Sequence, residues 1–282
     1  MGRVDQRALA VADSRGANES GVALSSRVAA MSFDVAADAY DSFMGRYSRL
    51  LSAPLADLAS VRSGQRVLDV GCGTGALTAE LATRVGLDAV AAADPSEPFV
   101  EAMRARYPGL DVRRAPAEAL PFADGEFDAA LAQLVVHFMA DPVVGLREMA
   151  RVTRRDGVVA ACVWDHGGGQ GPLRLFWDAA RSLDPSVDDE SGRAGTREGH
   201  LAQLFASAGL REIETTTLSV TLEHPTFESW WEPFTHGVGP AGAYLASLDA
   251  NRRAELRAVC LGQVPSEPLH VTAVAWAARG LA

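Results

Sequence analysis

The chain has 282 residues, a formal net charge of −10, no lysine and three cysteines. This length suits one α/β domain, or a core domain with a smaller lid. The acidic balance disfavours nucleic-acid binding, which usually needs a basic face, and the lack of lysine excludes Schiff-base chemistry. Because Cys72, Cys162 and Cys260 lie far apart without metal-type spacing, we expect reduced thiols and no metal site.

The N-terminal segment has the composition of a loose tail. Residues 1–30 are rich in Ser, Ala, Arg and Gly and have no sustained periodicity. They lack the apolar block of a signal peptide, and no apolar stretch in the chain reaches the ~18–20 residues that span a bilayer. We therefore predict a cytoplasmic protein that is ordered from about residue 31 onwards.

From residue 34 the pattern predicts helices, and then strands and helices in alternation. Apolar residues at helical spacing indicate helices over 34–58. The alternating part contains strands at 66–70, 88–93, 110–112, 127–134 and 157–164, separated by helices at 76–85, 97–107 and 143–152. This rhythm is typical of an α/β fold with a doubly wound, mostly parallel sheet.

The pattern changes after residue 165. A glycine-rich loop at 166–171 is followed by helices near 173–183 and 198–208 and a Thr-rich strand at 211–222. Residues 225–265 are helical and aromatic, and 270–277 form a last strand. We interpret 165–282 as the remaining sheet strands with a helical lid, within the same domain as 31–164.

The strongest motif is VLDVGCGTG at residues 67–75, where a strand ends in a glycine-rich turn and a helix begins. Ligands of open α/β sheets bind beyond the carboxyl ends of such strands. Gly71, Gly73 and Ala76 also fit the dinucleotide pattern, and Asp94 fits its acidic residue ~20 positions later. A nicotinamide-dependent reductase is therefore one open interpretation.

Three further features favour S-adenosylmethionine (SAM) over a dinucleotide. Asp69 lies inside the first strand, and a buried carboxylate there needs a partner such as the cationic amino group of SAM, which has no pyrophosphate. The segment AEALPF at 117–122 precedes the acidic turn at 124–128. That turn leads directly into the strand that ends at Gln133.

With these motifs, residues 34–164 resemble the class I SAM-dependent methyltransferases, with weaker likeness towards the C-terminus. The resemblance implies a seven-stranded, Rossmann-like sheet of order 3-2-1-4-5-7-6 in which strand seven is antiparallel. It also implies SAM as the cofactor and methyl transfer to a small-molecule acceptor by in-line SN2 displacement. Residues 31–164 would then be the SAM-binding core with its N-terminal helices.

The same resemblance assigns cofactor-binding residues. Gly71 and Gly73 would line the methionine part of SAM, together with Asp69. Asp94 would bind both ribose hydroxyls, and Gln133 would lie under the cofactor.

The adenine contacts depart from the family pattern. Ala117 and Glu118 would flank adenine, but Pro116 stands where many relatives have an aspartate that accepts a hydrogen bond from the adenine amino group. In the lead-in helix, Tyr40 and Arg46 are candidates to close over the cofactor, with Arg46 suited by charge to the SAM carboxylate. Packing is an equally good interpretation of Tyr40.

Several residues are candidates for contact with the acceptor. His137 follows strand four and is predicted as the general base, although a packed, hydrogen-bonded histidine is an equal alternative. The predicted substrate-binding residues are Trp164, His166, Trp230 and Trp231. For His166 an ordinary loop position is the stronger interpretation, and the two later tryptophans suit either a lid wall or a packed helical cap.

A glycine-rich binding motif indicates which cofactor the protein binds, but it does not indicate which reaction the protein catalyses. A SAM-fold protein without methyl transfer, serving as a cyclase or a binding module, is therefore a second alternative to the methyltransferase interpretation.

Overall fold

A computed structural model describes residues 37–264 and 266–282. The predicted tail at 1–30 lies outside the described residues, as do residues 31–36 of the predicted core. Two helices, α1 (Ala37–Ser42) and α2 (Met44–Leu58), precede the sheet.

The strands and helices then alternate as the sequence predicts. The strands are β1 (Val67–Val70), β2 (Val90–Asp94), β3 (Asp111–Arg114), β4 (Phe127–Gln133), β5 (Thr153–Trp164), β6 (Arg211–His224) and β7 (Leu269–Leu281). The remaining α-helices are α3 (Ala76–Val85), α4 (Glu97–Arg106), α5 (Pro142–Val152), α6 (Arg174–Leu183), α7 (His200–Ser207), α8 (Phe227–Trp231), α9 (Gly239–Ser247) and α10 (Ala250–Gln263).

The seven strands form one sheet of order β3-β2-β1-β4-β5-β7-β6. β7 runs antiparallel to both β5 and β6, with Cys162 opposite Ala277, whereas the pairs among β1 to β5 are parallel. This confirms the predicted order and the predicted antiparallel strand.

The central strands are buried on both faces because helices cover both sides of the sheet. Along β1, successive side chains point to opposite faces, so Val67 packs in one apolar cluster and Leu68 in the other. The first cluster includes Leu55 of α2, and the second includes Met149 of α5. The carboxyl ends of the parallel strands are thereby held at one edge, where ligands of such sheets bind.

The segment 225–265, which the sequence predicts to be helical, consists of several short helices. Pro233 lies in the first turn of a 3-10 helix (Glu232–His236), and Gly237 ends that helix with a φ of 74°. Glycine is favoured at such a C-terminal position because it adopts positive φ without strain. Three of these helices, α8, α9 and α10, pack with α6 around a third apolar cluster.

Among residues 37–264 and 266–282, no helix is both long enough and apolar enough to cross a membrane.

Candidate active site

The glycine turn after β1 brings backbone close to a cavity. Gly71 and Gly73 have φ values of 71° and 51°, which glycine adopts without strain. A Cβ on Gly71 would lie 2.4 Å from Cγ2 of Val135, so no side chain fits there. At Gly73, in contrast, a Cβ would meet nothing closer than a Tyr40 ring carbon at 4.0 Å. The backbone of Gly73 therefore borders open space in which a ligand can lie.

This open space is a cavity of about 320 Å³, which we call the first cavity. It lies at the carboxyl ends of β1, β2 and β4. The residues that line it include most of the predicted cofactor-binding set: Tyr40, Gly71, Gly73, Asp94, Ala117, Glu118 and Gln133. Pro116, the departure from the family pattern, lines it too.

Asp94 joins the end of β2 to the glycine turn. Its two carboxylate oxygens accept hydrogen bonds of 2.9 Å from the backbone N–H groups of Gly73 and Ser96. These bonds favour the ionised form, but burial outweighs them and raises the pKa of Asp94 to about 6. Asp94 is thus a positioned carboxylate at the cavity wall that is ionised at neutral pH.

Gln133 presents an unpaired acceptor at the cavity. Its Nε2 donates a 2.9 Å hydrogen bond to the backbone carbonyl of Ser48, while its Oε1 is buried without a partner. An unsatisfied buried acceptor costs about 1–3 kcal/mol. A ligand with an N–H donor would remove that cost, as the ammonium group of SAM would.

Asp69 differs from its expected placement. It is buried in β1, does not line the first cavity, and accepts a 2.6 Å hydrogen bond from the hydroxyl of Thr78 in α3. Burial raises its pKa to about 7. The carboxylate therefore ties β1 to α3 behind the glycine turn, instead of pointing to the methionine part of a cofactor.

Arg46 also differs from its expected placement. Its guanidinium donates to the backbone carbonyl of Glu223 at 3.2 Å and lies 3.4 Å from Nδ1 of His224. It does not line the first cavity. α2 directs this side chain to the end of β6, where the carbonyl offers it an acceptor.

Asp41, which sequence reasoning missed, makes the contact between the lead-in helix and the glycine turn. It accepts a hydrogen bond from the hydroxyl of Thr74, and its Oδ2 lies 3.0 Å from Nη2 of Arg106. Arg106 also donates to the backbone carbonyl of Thr74 at 2.6 Å. These three residues are distant in sequence, so no spacing pattern could have revealed the contact.

A smaller, second cavity of about 40 Å³ adjoins the first. The two share Tyr40, Leu134 and Phe138 as lining residues. Predicted acceptor-side residues in its wall are His137, Trp164 and His166, and they are accompanied by Glu190.

His137, His166 and Glu190 form a buried cluster in this wall. Nε2 of His166 lies 3.9 Å from Oε1 of Glu190, and Nδ1 of His137 is buried without a hydrogen-bond partner. Burial is the main cause that lowers the pKa of His137 well below its usual range, and it lowers the pKa of His166 as well. Both imidazoles are therefore neutral at pH 7. Glu190 lies in a stretch with no motif, and sequence reasoning missed it.

Trp230 and Trp231 do not line either cavity. Both are buried in the third apolar cluster, where the ring of Trp230 lies 5.0 Å from that of Phe234. Phe234 in turn stacks on Phe176 of α6 at 4.6 Å. The packed-cap alternative therefore describes both tryptophans, which are buried among side chains of α6 and α8 to α10.

The chain is similar to known methyltransferases in sequence and in fold. The family profile described as a methyltransferase domain matches residues 68–161. The demethylmenaquinone methyltransferase of Renibacterium salmoninarum is 33% identical over 214 residues, which are 68% of this chain and 87% of that protein. The malonyl-[acyl-carrier protein] O-methyltransferase of Halorhodospira halophila is 30% identical, over 57% of this chain and 63% of that protein.

A solved structure of similar fold is the geranyl diphosphate C-methyltransferase of Streptomyces coelicolor A3(2), in complex with Mg²⁺, geranyl diphosphate and S-adenosyl-L-homocysteine. It superposes with a TM-score of 0.50 at 14% identity, over 84% of this chain and 80% of that one.

The fold, the glycine turn and these relatives together define the class: the chain belongs to the class I SAM-dependent methyltransferases. It is an enzyme that transfers a methyl group from SAM to a small-molecule acceptor. The nicotinamide interpretation of the glycine turn is set aside.

Proposed function

We propose that the first cavity binds SAM and that the second cavity presents the acceptor to it. The observation that carries the proposal is that the cavities adjoin and share Tyr40, Leu134 and Phe138 in their walls. SAM supplies an electrophilic methyl group on its sulfonium. The chain's task is to hold the acceptor atom in line with that methyl group, and such positioning can contribute ~7–11 kcal/mol.

On the cofactor side, each proposed role follows from an observed donor or acceptor. Asp94 accepts hydrogen bonds from the ribose hydroxyls, and Oε1 of Gln133 accepts one from the ammonium group. The backbone of Gly73 borders the methionine part. The carboxylate of Glu118 accepts a 3.1 Å hydrogen bond from the backbone N–H of Asp141, which fixes the adenine wall against the start of α5.

On the acceptor side, the wall is mainly apolar but contains two unpaired polar atoms. Phe43, Leu173 and Val238 contribute apolar surface. Nε1 of Trp164 and Nδ1 of His137 are buried without partners. An indole N–H donates to an oxygen, and a neutral imidazole accepts a proton. These atoms favour a mainly apolar acceptor with one hydroxyl or enol oxygen, whose proton His137 accepts.

The size of the second cavity bears on how the acceptor enters. A volume of about 40 Å³ has room for a few water-sized groups at most. Residues 238–241, at the start of α9, form part of its wall. We infer that this segment moves outward to admit the acceptor. The three relatives named above act on different acceptors. One name specifies an O-methyltransferase and another a C-methyltransferase, so the names do not select the acceptor atom. A cytoplasmic location remains a prediction, and the three buried free cysteines fit it.

A substitution that fills only the second cavity tests whether the two cavities have these separate roles. Ala241 is fully buried and lines that cavity, whereas Ala243, on the same helix, lines neither cavity. Ala241→Val should keep SAM affinity and lose most turnover against a panel of phenolic and enolic acceptors. Ala243→Val is the control for the cost of valine in a helix. Loss of SAM binding in Ala241→Val with the fold intact, or full turnover, would contradict the proposal.

A further inference from the structure

Three side chains from separate elements converge on one point of the second cavity. His137 lies in a 3-10 turn (Val136–Phe138), His166 in the loop after β5, and Glu190 in a second 3-10 turn (Glu190–Gly192). One ligand atom from each side chain lies within 4.8 Å of the other two. Within the part of the chain that the structure describes, no other group of three or more His, Cys, Asp or Glu side chains meets this condition.

The distances among the three ligand atoms suit coordination of a metal ion better than direct hydrogen bonds between the side chains. If three atoms lie within 4.8 Å of one another, some point lies within about 2.8 Å of all three, and each needs to move less than about 1 Å to reach the ~2.0–2.2 Å bonds of zinc. No hydrogen bond joins the three residues, and His166 and Glu190 stand 3.9 Å apart.

One ligand atom of this buried cluster has no hydrogen-bond partner. The side chains of His166 and Glu190 are 5% and 3% exposed, and His137 is 7% exposed with no partner at Nδ1. Buried polar side chains are nearly always hydrogen-bonded. A bound cation would supply the partner that Nδ1 of His137 lacks.

A neighbouring tryptophan orients the carboxylate of Glu190 for metal binding. Oε2 of Glu190 accepts a 3.3 Å hydrogen bond from Nε1 of Trp177, which leaves Oε1 directed to the cluster. Such second contacts commonly orient metal-binding carboxylates.

The nearby charges are of both signs. The guanidinium of Arg193 lies over the ring of Phe138 and acts on both imidazoles, which opposes a cation. Asp165 and Asp189 act on His166 with the opposite sign, and the carboxylate of Glu190 adds to them.

We propose that His137, His166 and Glu190 bind one divalent transition-metal ion of the Zn²⁺ class in the wall of the second cavity. Two imidazoles and one carboxylate are donors that Zn²⁺, Co²⁺ and Fe²⁺ favour, whereas Mg²⁺ prefers a shell of oxygens. This replaces the expectation of no metal, which rested on sequence spacing and could not see ligands that only the fold brings together.

The ion would also change the chemistry of the acceptor. The three protein ligands would leave a coordination position for the acceptor oxygen, and coordination would lower the pKa of that hydroxyl. The acceptor hydroxyl would lose its proton to solvent and its oxygen would form the new bond to the methyl carbon, while the carbon–sulfur bond would break with its electron pair left on the sulfur of S-adenosylhomocysteine. His137 would act as a ligand and not as the base. This consequence, unlike ion binding itself, rests on the proposed function.

The test is a titration of chelator-treated protein with Zn²⁺ by calorimetry, without SAM or acceptor, repeated with Co²⁺ by visible absorption and with Mg²⁺. We expect one Zn²⁺ per chain, tetrahedral-type Co²⁺ bands and no competition by Mg²⁺. His166→Ala and Glu190→Gln should each weaken Zn²⁺ binding at least about 10²-fold. Glu190→Gln retains a carbonyl oxygen for Trp177, so its fold should be preserved, and retained SAM affinity checks this.

An exposed histidine–glutamate pair provides the matched control. Nε2 of His270 lies 3.2 Å from Oε2 of Glu223, and both side chains are more than half exposed. His270→Gln should leave the Zn²⁺ stoichiometry unchanged. Absence of stoichiometric Zn²⁺ binding, or equal binding by wild type and both cluster variants, would overturn the inference. Methyl transfer that persists in such a protein would leave the proposed function standing, whereas Zn²⁺ binding without transfer would count against the proposed function alone.

Discussion

Arg106 Nη2 lies 3.0 Å from Asp41 Oδ2, and the same guanidinium donates a hydrogen bond to the backbone carbonyl of Thr74. The ion pair therefore joins three elements, which are α4, the glycine turn and the lead-in helix α1. The Asp41 side chain is 18% exposed, and Arg106 is 41% exposed. Solvent weakens this pair, but its position makes α1 a cover for the first cavity, which Tyr40 lines from the same helix.

Removing the acceptor at Asp41 should loosen this cover. Asp41→Ala deletes the bonds from Thr74 and Arg106, which are worth about 0.5–1.5 kcal/mol each, so SAM affinity should fall roughly 2–10-fold. Calorimetric titration with SAM measures this. The exposed Asp38 on the same helix provides the control, Asp38→Ala, which should bind SAM like the wild type. Equal affinity of the two variants would remove Asp41 from cofactor binding.

The role of Asp94 predicts a pH-dependent affinity. The ionised carboxylate accepts hydrogen bonds from two hydroxyls, and protonation removes part of that capacity. Because burial raises the pKa of Asp94 to about 6, SAM affinity should be constant above that pH and fall as the pH drops through it. Asp94→Ala should lose about 1–3 kcal/mol of binding, or about 5–150-fold, and should lack this pH dependence. An unchanged affinity at pH 7.5 would exclude the ribose role.

Asp69 should affect stability and not binding. Its pKa is raised by burial from about 4 in the unfolded chain to about 7 in the folded one. Between these two pKa values the folded state holds a proton on Asp69 that the unfolded state has lost. The contribution of Asp69 to the free energy of unfolding is therefore highest below pH 4, and it falls as the pH rises through 7. Asp69→Asn can still accept the bond from Thr78, so its melting temperature should exceed that of the wild type by more at pH 8 than at pH 5.

The matched variant for Asp69 is Asp88→Asn, at an exposed position, which should show no such difference between pH 5 and pH 8. SAM affinity of Asp69→Asn should stay within a few-fold of wild type. A large loss of affinity would restore Asp69 to the cofactor contacts that the sequence motif suggested.

His137 should matter for turnover and little for cofactor binding. Whether it takes the acceptor's proton or holds a cation, His137→Ala should lower turnover by ~10²–10⁴-fold. SAM affinity should stay nearly intact, because His137 does not line the first cavity. The measurement is turnover per folded, SAM-binding molecule, once an acceptor is found. Near-normal turnover on that basis would reduce His137 to a packing role.

Local pattern and resemblance predicted the sheet well because its signals are local. The glycine turn, the apolar strands and the acid that ends β2 each follow from a few adjacent residues, and Asp94 and Gln133 lie at the cavity as expected. The direction of a helical side chain depends on what the helix packs against. Arg46 had an equally suitable acceptor at the carbonyl of Glu223, and charge alone could not choose between the two.

The acceptor side was less predictable for the same physical reason. Trp230 and Trp231 could line a lid or fill a core, and the choice depended on the packing of α6 against α8 and α9. Glu190 carries no local signal, because it meets His137 and His166 only after β4 and β5 are aligned in the sheet.

The wall formed by residues 238–241 has a consequence for the timing of the reaction. Gly237 and Gly239 flank its first residue with φ values of 74° and 63°, conformations that glycine enters and leaves at low cost. Val238 packs in the third apolar cluster, so the proposed outward movement requires this side chain to leave the cluster and return to it in each catalytic cycle. If the segment moves as proposed, the local stability of residues 238–241 would set both the rate of product release and the time for which the methyl group is shielded from water.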